Sequence, residues 1–487
     1  MKIINSHEYE EIKNFTCSLG IDEKIIIDEA SEKIYDIVKD LRPKRVLVIA
    51  GKGFKGAVVI SLARKLNNFN IKTDLAVLYE DNDNPVKNEL FLYNSFNFKH
   101  FIYKDFNMNL NEYDIIIDGI FGEANTENNF SYITEKINSS GIPVISADYP
   151  SGLNPDNGET LFTPVKAFMT VTFNFLKPVH IFLPGKLFCG SVKIADLCFS
   201  DYKINQYKRE LVTFDTARNF LPKRFINSNK YDYGKITIIG GSPKYPGAPF
   251  LSASGALRTG TGLVEILNNF FCGPATDTSV INSYYKELFS FSDEAKAFID
   301  DSLKNTDCIL LGPGLEKNSE KTVRYIIEKY KNSKKIVIDA TAINFTEGIE
   351  LSDNIVLTPH SGEMKKLVPD FIYDDRERVE KYASDNKCTV VYKSYFTLIT
   401  DGNNSYVNIL GNNSLSKGGS GDLLSGVIAG FCAQGLSAGK SSVLGSYIVY
   451  KTALELTEKY TEYYITPELI SQNIYKTLSD LKGVDLK

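Results

Sequence analysis

The sequence predicts an α/β protein of two domains, each built on a mostly parallel sheet flanked by helices. Its 487 residues exceed what one ordinary hydrophobic core accommodates. Short apolar runs recur along the chain, each followed by a glycine-rich or acidic loop, which is typical of buried parallel strands. Residues 199–230 are polar and lack strand periodicity, so we place the boundary there, with domains of residues 1–206 and 207–487.

Bulk composition excludes several classes of function. The net charge of −5, with acids and bases mixed throughout, argues against nucleic-acid binding. The first residues lack the apolar core of a signal peptide and no segment reaches the length of a membrane span, so we expect a cytoplasmic protein. Seven cysteines without a C-x-x-C pair, and four histidines, favour buried thiols over disulfides or zinc. We expect small-molecule substrates and a homo-oligomer.

A βαβ unit with a glycine turn begins the first half. Residues 31–41 have a helical pattern, 45–50 form an apolar strand, 51–56 are the glycine turn, and a helix through Leu66 leads to a strand at 73–79. By itself this unit is a weak indication of nucleotide binding.

Two further strands of the first half end in aspartates, Asp118 and Asp148. Ligands of open α/β sheets bind at the carboxyl edge of the strands, so these two carboxylates are predicted to converge on one crevice. The alternative is that each merely caps its own loop.

The second half repeats the strand-and-loop alternation. Apolar strands precede the loops GPGL, DATAIN and TPHSGE, and the segment around residues 398–402 has the pattern of a hairpin turn. Taken alone, His360 is interpretable as a satisfied loop histidine and Lys393 as a solvated lysine.

The stretch from 414 to 426 carries the strongest chemical signal. Three glycines and Asp422 precede an apolar run at 423–431 that predicts a helix, and the amides at its start suit an anion. Because a carboxylate repels phosphate, Asp422 is better explained as a base that takes a proton from a hydroxyl. The alternative is a glycine-rich turn with Asp422 as the helix N-cap.

The motifs of the first half together resemble the N-terminal epimerase domain of the NAD(P)H-hydrate repair enzymes. The resemblance rests on the glycine turn, DGIFG at 118–122, ADYPSGL at 147–153 and TVTFNFLKP at 170–178. It implies a Rossmann-like domain that interconverts the R and S epimers of hydrated NADH and NADPH. It also implies a potassium site that includes Asp118 and Ser151, with Asp148 as the catalytic, hydrate-contacting aspartate.

The glycine turn departs from this family pattern. The family has Asn-Asn-Gly-Gly-Asp where this chain has Phe-Lys-Gly-Ala-Val, so Lys55 stands at a potassium-ligand position and Val58 replaces an aspartate. A lysine ammonium resembles a potassium ion in charge and size, so Lys55 is predicted to pair with Asp118 and fill the site. We therefore predict that potassium dependence and epimerase activity are lost.

The motif order of the second half resembles the C-terminal dehydratase domain of the same enzymes, a ribokinase-like fold. The resemblance implies dehydration of the S hydrate, driven by ADP or ATP with Mg²⁺, with Asp422 as the catalytic base. The implied hydrate-contacting residues are Ala248, Gly314, His360 and Asp422. The implied nucleotide-contacting residues are Lys393, Ser394, Tyr395, Phe396, Thr397, Gly418, Gly419, Ser420 and Gly421.

Four positions depart from the dehydratase pattern, namely Glu316, Thr341, Ser361 and Ser394. They are expected to alter affinity and nucleotide preference, because Asp422 and the glycine nest are retained. The alternative interpretation is a ribokinase-like small-molecule kinase, for instance of a thiazole or pyridoxine, with a non-catalytic nucleotide-binding N-terminal module.

Overall fold

The computed structural model describes residues 1–79, 84–102, 109–120, 130–270, 279–372 and 374–484. The chain divides into two compact units, Met1–Tyr207 and Lys208–Lys487. The last two residues of the predicted DGIFG motif, Phe121 and Gly122, lie outside the described residues.

The first unit is an α/β layer structure. Its helices are α1 (Ser6–Ser18), α2 (Glu23–Leu41), α3 (Gly53–Asn68), α4 (Asn84–Ser95), α5 (Ser131–Ser139), α6 (Pro178–Ile181) and α7 (Asp201–Ile204). Its strands are β1 (Arg45–Ala50), β2 (Lys72–Val77), β3 (His100–Ile102), β4 (Ile115–Gly119), β5 (Val144–Ala147), β6 (Met169–Phe173) and β7 (Ser191–Ala195).

The strands of the first unit form one parallel sheet in the order β3-β2-β1-β4-β5-β6-β7. The order reverses between β1 and β4, which opens a crevice at the carboxyl edge. Asp118 lies at the end of β4 and Asp148 follows β5, so both reach this edge. The predicted doubly wound sheet is confirmed.

The glycine turn between β1 and α3 is required by close backbone packing. A Cβ atom on Gly51 would lie 1.8 Å from the carbonyl oxygen of Ile120, and one on Gly56 would lie 2.2 Å from the carbonyl oxygen of Gly51. No side chain fits at either position.

The second unit is a larger α/β structure. Its helices are α8 (Phe214–Phe220), α9 (Ala248–Arg258), α10 (Asp293–Leu303), α11 (Glu320–Tyr330), α12 (Ser361–Leu367), α13 (Arg376–Asn386), α14 (Ser420–Ala433), α15 (Ala438–Leu456) and α16 (Pro467–Lys482). Its strands are β8 (Arg209–Leu211), β9 (Lys235–Ile239), β10 (Leu263–Asn268), β11 (Ile281–Tyr284), β12 (Cys308–Leu311), β13 (Lys335–Ile338), β14 (Ile355–Leu357), β15 (Thr389–Lys393), β16 (Thr397–Thr400) and β17 (Ser405–Asn408).

The second sheet has the order β11-β10-β9-β12-β13-β14-β15-β16-β17-β8. Its pairings are parallel except that β16 runs antiparallel to both β15 and β17. The predicted hairpin turn near residue 401 is therefore confirmed as the β16–β17 connection. The carboxyl ends of β9, β12, β13 and β14 meet at one edge.

Small residues bring α14 and α9 into close contact beneath that edge. A Cβ atom on Gly426 would lie 2.1 Å from the carbonyl oxygen of Ser252, and one on Gly255 would lie 2.8 Å from the carbonyl oxygen of Leu423. The Ser252 hydroxyl donates to the carbonyl oxygen of Asp422 at 2.8 Å. This packing fixes the amino-terminal end of α14 against α9.

Three element predictions differ from the structure. Helix α2 begins at Glu23, earlier than residue 31, because Asp22 caps it by accepting from the Lys24 amide. The stretch 199–230, predicted to lack strand periodicity, contains α7, α8 and the strand β8, which pairs with β17 and is too short to show a period in the sequence. Helix α14 begins at Ser420 and its N-cap is Gly419 with φ of 94°, so the alternative that Asp422 is the N-cap is wrong.

Candidate active site

A cavity of about 550 Å³ lies at the carboxyl edge of the second sheet. Sequence-predicted residues form much of its lining: His360, Lys393, Ser394, Tyr395, Phe396, Thr397, Ser420 and Gly421. The β15–β16 hairpin supplies one wall and the start of α14 another. The cavity thus brings predicted nucleotide contacts from distant parts of the chain together with His360, a predicted hydrate contact, whereas Gly418, Gly419 and Asp422 are not part of its lining.

An ion pair between a partly buried lysine and a buried aspartate lies at the wall of this cavity. The Lys393 ammonium lies 3.1 Å from Asp339 Oδ1, which also accepts from the Thr358 hydroxyl at 2.6 Å. Burial alone would lower the pKa of Lys393, but the carboxylates of Asp339 and Glu363 outweigh it and raise that pKa. Burial alone would raise the pKa of Asp339, but Lys393 and the hydrogen bond from Thr358 lower it. Both groups are therefore held charged.

Asp422 lies in the first turn of α14, next to this pair. Burial first, and then repulsion from Asp339, raise its pKa from 3.8 to about 7, while Lys393 opposes the shift. A carboxyl group that titrates near neutral pH has the property required of a general base.

Gly421 is the contact point between α14 and the ion pair. A Cβ atom on Gly421 would lie 3.4 Å from the Lys393 ammonium nitrogen and 3.8 Å from Asp339 Oδ2. A Cβ atom on Gly418 would meet nothing within 4 Å, whereas Gly419, in the left-handed region, would bring its Cβ within 2.7 Å of Leu251. Before α14 there is therefore free space next to Gly418, whereas the backbone at Gly419 is packed closely against Leu251.

Two buried polar atoms of the cavity lining have no hydrogen-bond partner among the described residues. They are the Ser420 hydroxyl and the Asn412 side-chain amide nitrogen. Unsatisfied buried donors are costly, so these atoms point to a polar ligand in the cavity. Asn412 was not predicted from the sequence, because no motif marks it and its position in the cavity lining depends on how its loop folds.

His360 caps α12 at the rim of the cavity. Its Nδ1 accepts from the Gly362 amide at 2.9 Å and the Glu363 amide at 3.3 Å, which leaves Nε2 to carry the proton. The side chain is 60% exposed. The histidine is therefore a helix cap whose exposed ring lines the cavity, with Nε2 3.6 Å from Glu363 Oε1.

Ala248 and Gly314 form a second cluster at the same sheet edge. A Cβ atom on Gly314, whose φ is 72°, would lie 3.2 Å from both the Ala248 Cβ and the Gly241 Cα. The two predicted hydrate contacts are therefore neighbours, at the loops that follow β9 and β12.

The four departures from the family pattern occupy different settings. Ser394 donates to the Asp374 carboxylate at 2.8 Å, and Ser361 pairs with the Tyr392 hydroxyl at 2.9 Å. Thr341 lies in a short 3-10 helix after β13, and Glu316 is exposed.

The first unit contains a buried cage of oxygen atoms around the Lys55 ammonium. Lys55 is 3% exposed, and its nitrogen lies 2.6 Å from the carbonyl oxygen of Tyr149, 3.0 Å from the Ser151 hydroxyl and 3.6 Å from Asp118 Oδ2. The predicted pairing of Lys55 with Asp118 is present. Burial lowers the pKa of Lys55, although Asp118 and Asp148 partly offset this.

Asp148 is held by residues that follow β6. Its carboxylate lies 2.6 Å from the Lys177 ammonium, and its carbonyl oxygen accepts from His180 Nε2 at 2.8 Å. His180 Nδ1 accepts from the Lys177 amide at 2.9 Å, which places the ring proton on Nε2. Burial and the charge of Lys177 lower the pKa of His180 to about 4, so this histidine is neutral.

Apolar side chains surround the remainder of this crevice. Val58, at the position of the family aspartate, is fully buried in the core of the first unit. The Phe54 ring packs edge-on against Tyr9 and Phe173, with ring centroids 6.4 and 5.9 Å apart. The Tyr9 ring lies under the Lys177 ammonium at 4.3 Å.

Some functional groups escape prediction from the sequence. Asp339 follows a strand as Asp118 and Asp148 do, so the same rule would have found it. Lys177 lies within the TVTFNFLKP motif, but neither it nor His180 was predicted as a site residue, because their partner Asp148 is distant in the chain. Among the described residues, no three His, Cys, Asp or Glu side chains converge as metal ligands.

Two further expectations from the sequence, on the cysteines and on membrane-spanning segments, can be compared with the described residues. The six described cysteines are free thiols, four of them buried, while Cys272 lies outside these ranges. None of the helices that the described residues form is long and apolar enough to cross a bilayer.

Family comparisons match both units. The sequence model described as NAD(P)H-hydrate dehydratase matches residues 236–476. The model described as YjeF-related protein N-terminus matches residues 24–179. The dehydratase match therefore includes the strands around the cavity, and the N-terminal match includes the strands that carry Asp118 and Asp148.

Individual relatives match over nearly the full length. The bifunctional NAD(P)H-hydrate repair enzyme of Dictyoglomus turgidum is 29% identical, with 92% of each chain aligned. The protein of the same name from Methanopyrus kandleri is 27% identical over 98% of this chain and 96% of the relative. A ribokinase-like superfamily protein from Enterococcus faecalis is 24% identical with a TM-score of 0.51, covering 56% of this chain and 96% of that structure. This likeness supports the ribokinase-like fold of the second unit.

Proposed function

The chain belongs to the family of bifunctional NAD(P)H-hydrate repair enzymes, and we propose that its second unit dehydrates the S form of hydrated NADH or NADPH, driven by ADP or ATP. One observation carries the assignment of the site. Asp422, with a pKa of about 7, stands at the amino-terminal end of α14 beside a cavity of about 550 Å³. A base and an anion-binding helix end therefore adjoin one ligand-sized space.

The chemistry explains why a nucleotide is needed. The hydrate carries a hydroxyl on C6 of its ring, and hydroxide is a poor leaving group near neutral pH. Transfer of the terminal phosphoryl group to that oxygen converts it to a phosphate ester, and AMP or ADP departs. Loss of phosphate and of the C5 proton, assisted by the lone pair of the ring nitrogen, restores the dihydropyridine.

Asp422 accepts the hydroxyl proton in this proposal. Its raised pKa suits a base that acts near neutral pH, and its position in the first turn of α14, directly after the glycine nest, supports this role. The amides of 418–421 and the α14 amino terminus would stabilise charge on the transferring group. Lys393 contributes a partly buried positive charge close to the start of α14.

The nucleotide is assigned to the cavity between the β15–β16 hairpin and α14. The unsatisfied Ser420 hydroxyl and Asn412 amide supply polar partners for it. Mg²⁺ usually binds through one or two carboxylates together with substrate phosphates, and Asp339 is the carboxylate beside the nest that does not serve as the proposed base. Together with the nucleotide phosphates it would hold a metal ion that arrives with the nucleotide and offsets its charge.

The proposal is tested with separated R and S hydrates and the purified full chain. Recovery of reduced-nicotinamide absorbance from the S hydrate is expected with ADP or ATP and Mg²⁺, and not when either is omitted. Comparing the two nucleotides and the NADH and NADPH hydrates determines both preferences. Nucleotide consumption that accompanies phosphorylation of a thiazole or pyridoxine alcohol, without recovery of the absorbance, would instead identify a small-molecule kinase.

A further inference from the structure

The oxygen cage around Lys55 has the composition of a monovalent-cation site, and we propose that the Lys55 ammonium is its permanent occupant. The cage offers a carbonyl oxygen from Tyr149, a hydroxyl from Ser151 and a carboxylate from Asp118, at 2.6, 3.0 and 3.6 Å. A potassium ion carries the same charge and is similar in size to an ammonium group. A second cation in this space would clash with the Lys55 side chain and would be repelled by its positive charge.

An ordinary buried ion pair does not account for this arrangement. Asp118 is fully buried, and its carboxylate accepts from the Ser146 hydroxyl, the Ser151 amide and hydroxyl, and the Ile120 amide, at 2.5 to 3.1 Å. The ammonium is closer to the neutral oxygens of Tyr149 and Ser151 than to this carboxylate. Several elements converge on the cation as ligands converge on a metal ion.

The ammonium also fixes the loop that carries Asp148. It holds the carbonyl of Tyr149, the residue after Asp148, and Asp148 itself has a φ of 62°, which is uncommon for a residue with a side chain. Lys55 is therefore a positioning residue. It keeps the 148–151 loop in place without any ion from solution.

Two consequences follow for the first unit. The wild-type protein should be indifferent to the identity of the monovalent cation, because the cage is already filled. Removal of the amine leaves the buried Asp118 carboxylate and two neutral oxygens around an uncompensated space, so the cage should then take up potassium. This inference concerns the first unit and stands whether or not the second unit dehydrates the hydrate.

The test measures thermal unfolding of the full chain in KCl, NaCl and choline chloride at equal ionic strength. Wild type, Lys55→Ala and Lys55→Asn are compared with the matched control Lys65→Ala. Lys65 lies on the same helix and is 8% exposed, but its partners Asp28 and Glu32 have side chains that are 56% and 48% exposed. Equilibrium dialysis with rubidium counts bound ions directly, and hydrogen exchange of peptides spanning 148–151 reports where they act.

For wild type and Lys65→Ala, we expect the same unfolding temperature in the three salts and no bound rubidium. Lys55→Ala or Lys55→Asn should unfold several degrees lower in choline. Potassium should restore stability with saturation, bind near one rubidium per chain and slow exchange at 148–151. Stoichiometric rubidium on wild type would overturn the proposal, as would Lys55 variants that neither bind rubidium nor respond to potassium. If those variants fail to fold in every salt, wild-type rubidium binding and its salt response still decide the question.

Discussion

The Lys393 ammonium and the Asp339 carboxylate lie 3.1 Å apart at the amino-terminal end of α14. Gly421 lies against this pair: a Cβ atom there would be in ordinary van der Waals contact with the ammonium nitrogen, at 3.4 Å, and with Asp339 Oδ2, at 3.8 Å. The pair exerts opposite effects on Asp422: Asp339 raises its pKa and Lys393 lowers it. Burial is the largest cause of the raised pKa of the proposed base, and these two paired charges adjust that pKa in opposite directions.

Activity on the S hydrate should rise with pH and level off above an apparent pKa of about 7, because Asp422 accepts a proton only when ionised. Asp339→Asn should move that apparent pKa downward, since it removes the repulsion and leaves Lys393 free to attract Asp422. The pH profile of kcat/KM for both proteins checks this. Asp480→Asn, on α16, serves as the control. A wild-type profile without an inflection in the neutral range would contradict the assignment.

Thr397→Ala should weaken nucleotide binding more than hydrate binding. Thr397 lines the cavity and its hydroxyl bonds to that of Tyr450 at 2.7 Å, so its loss disturbs the nucleotide wall. Calorimetric titration with ADP, ATP and the hydrate measures both affinities.

Thr400→Ala is the matched control for this change. Thr400 lies at the opposite end of β16, where its hydroxyl accepts from the Gly402 amide. Its substitution should leave both affinities near wild type. A larger loss for the hydrate than for the nucleotide in Thr397→Ala would move this wall to the other substrate.

Gly426→Ala should destabilise the second unit by about 1–3 kcal/mol, because the added methyl group would collide with the α9 backbone at Ser252. Gly439→Ala, on α15, meets nothing within 4 Å and should stay within about 1 kcal/mol of wild type. Urea titration of the two variants gives the difference in free energy of unfolding. Equal stabilities would mean that α9 and α14 are less tightly fixed than their contact implies.

The R hydrate should persist in the presence of the wild-type protein, converting only at its uncatalysed rate. Val58 replaces the family aspartate with a buried apolar side chain, and Lys55 fills the cation cage. Following R-to-S conversion by chromatography checks this, and Lys55→Asn combined with Val58→Asp should regain some potassium-dependent conversion, because Asp148 is retained. Wild-type conversion above the uncatalysed rate, faster in potassium than in sodium, would show that the altered turn still supports epimerisation.

The strands and the loops that follow them can largely be predicted from the sequence, because a short apolar run followed by glycine or aspartate marks the end of a buried strand. Apolar runs followed by glycine or aspartate are enough to assign Asp118, Asp148 and the TPHSGE loop to sheet edges. The cation cage is predictable only in part: the Lys55–Asp118 pair follows from the family resemblance, whereas the Tyr149 carbonyl has no side-chain signal. Lys177 was not predicted because its partner, Asp148, is brought close only by the tertiary structure. Asn412 was not predicted because only the folded structure shows that its buried amide nitrogen has no hydrogen-bond partner among the described residues.

Helix starts are less predictable than strand ends. The local pattern assigns Asp422 to the stretch before a helix, whereas α14 begins at Ser420 with Gly419 in the left-handed region as its cap. That boundary depends on how the backbone packs against Leu251, which a local sequence pattern does not encode.

The most direct test of the account is the rate of S-hydrate dehydration by Asp422→Asn with nucleotide and Mg²⁺ present. The raised pKa of Asp422 means that the wild-type protein loses stability as pH rises from about 4 through about 7, so the neutral asparagine should fold at least as well above that range. We predict a fall in turnover of about 10²–10⁴, with nucleotide and hydrate still binding. A folded Asp422→Asn protein that keeps most of its turnover would contradict the role of Asp422 as the base.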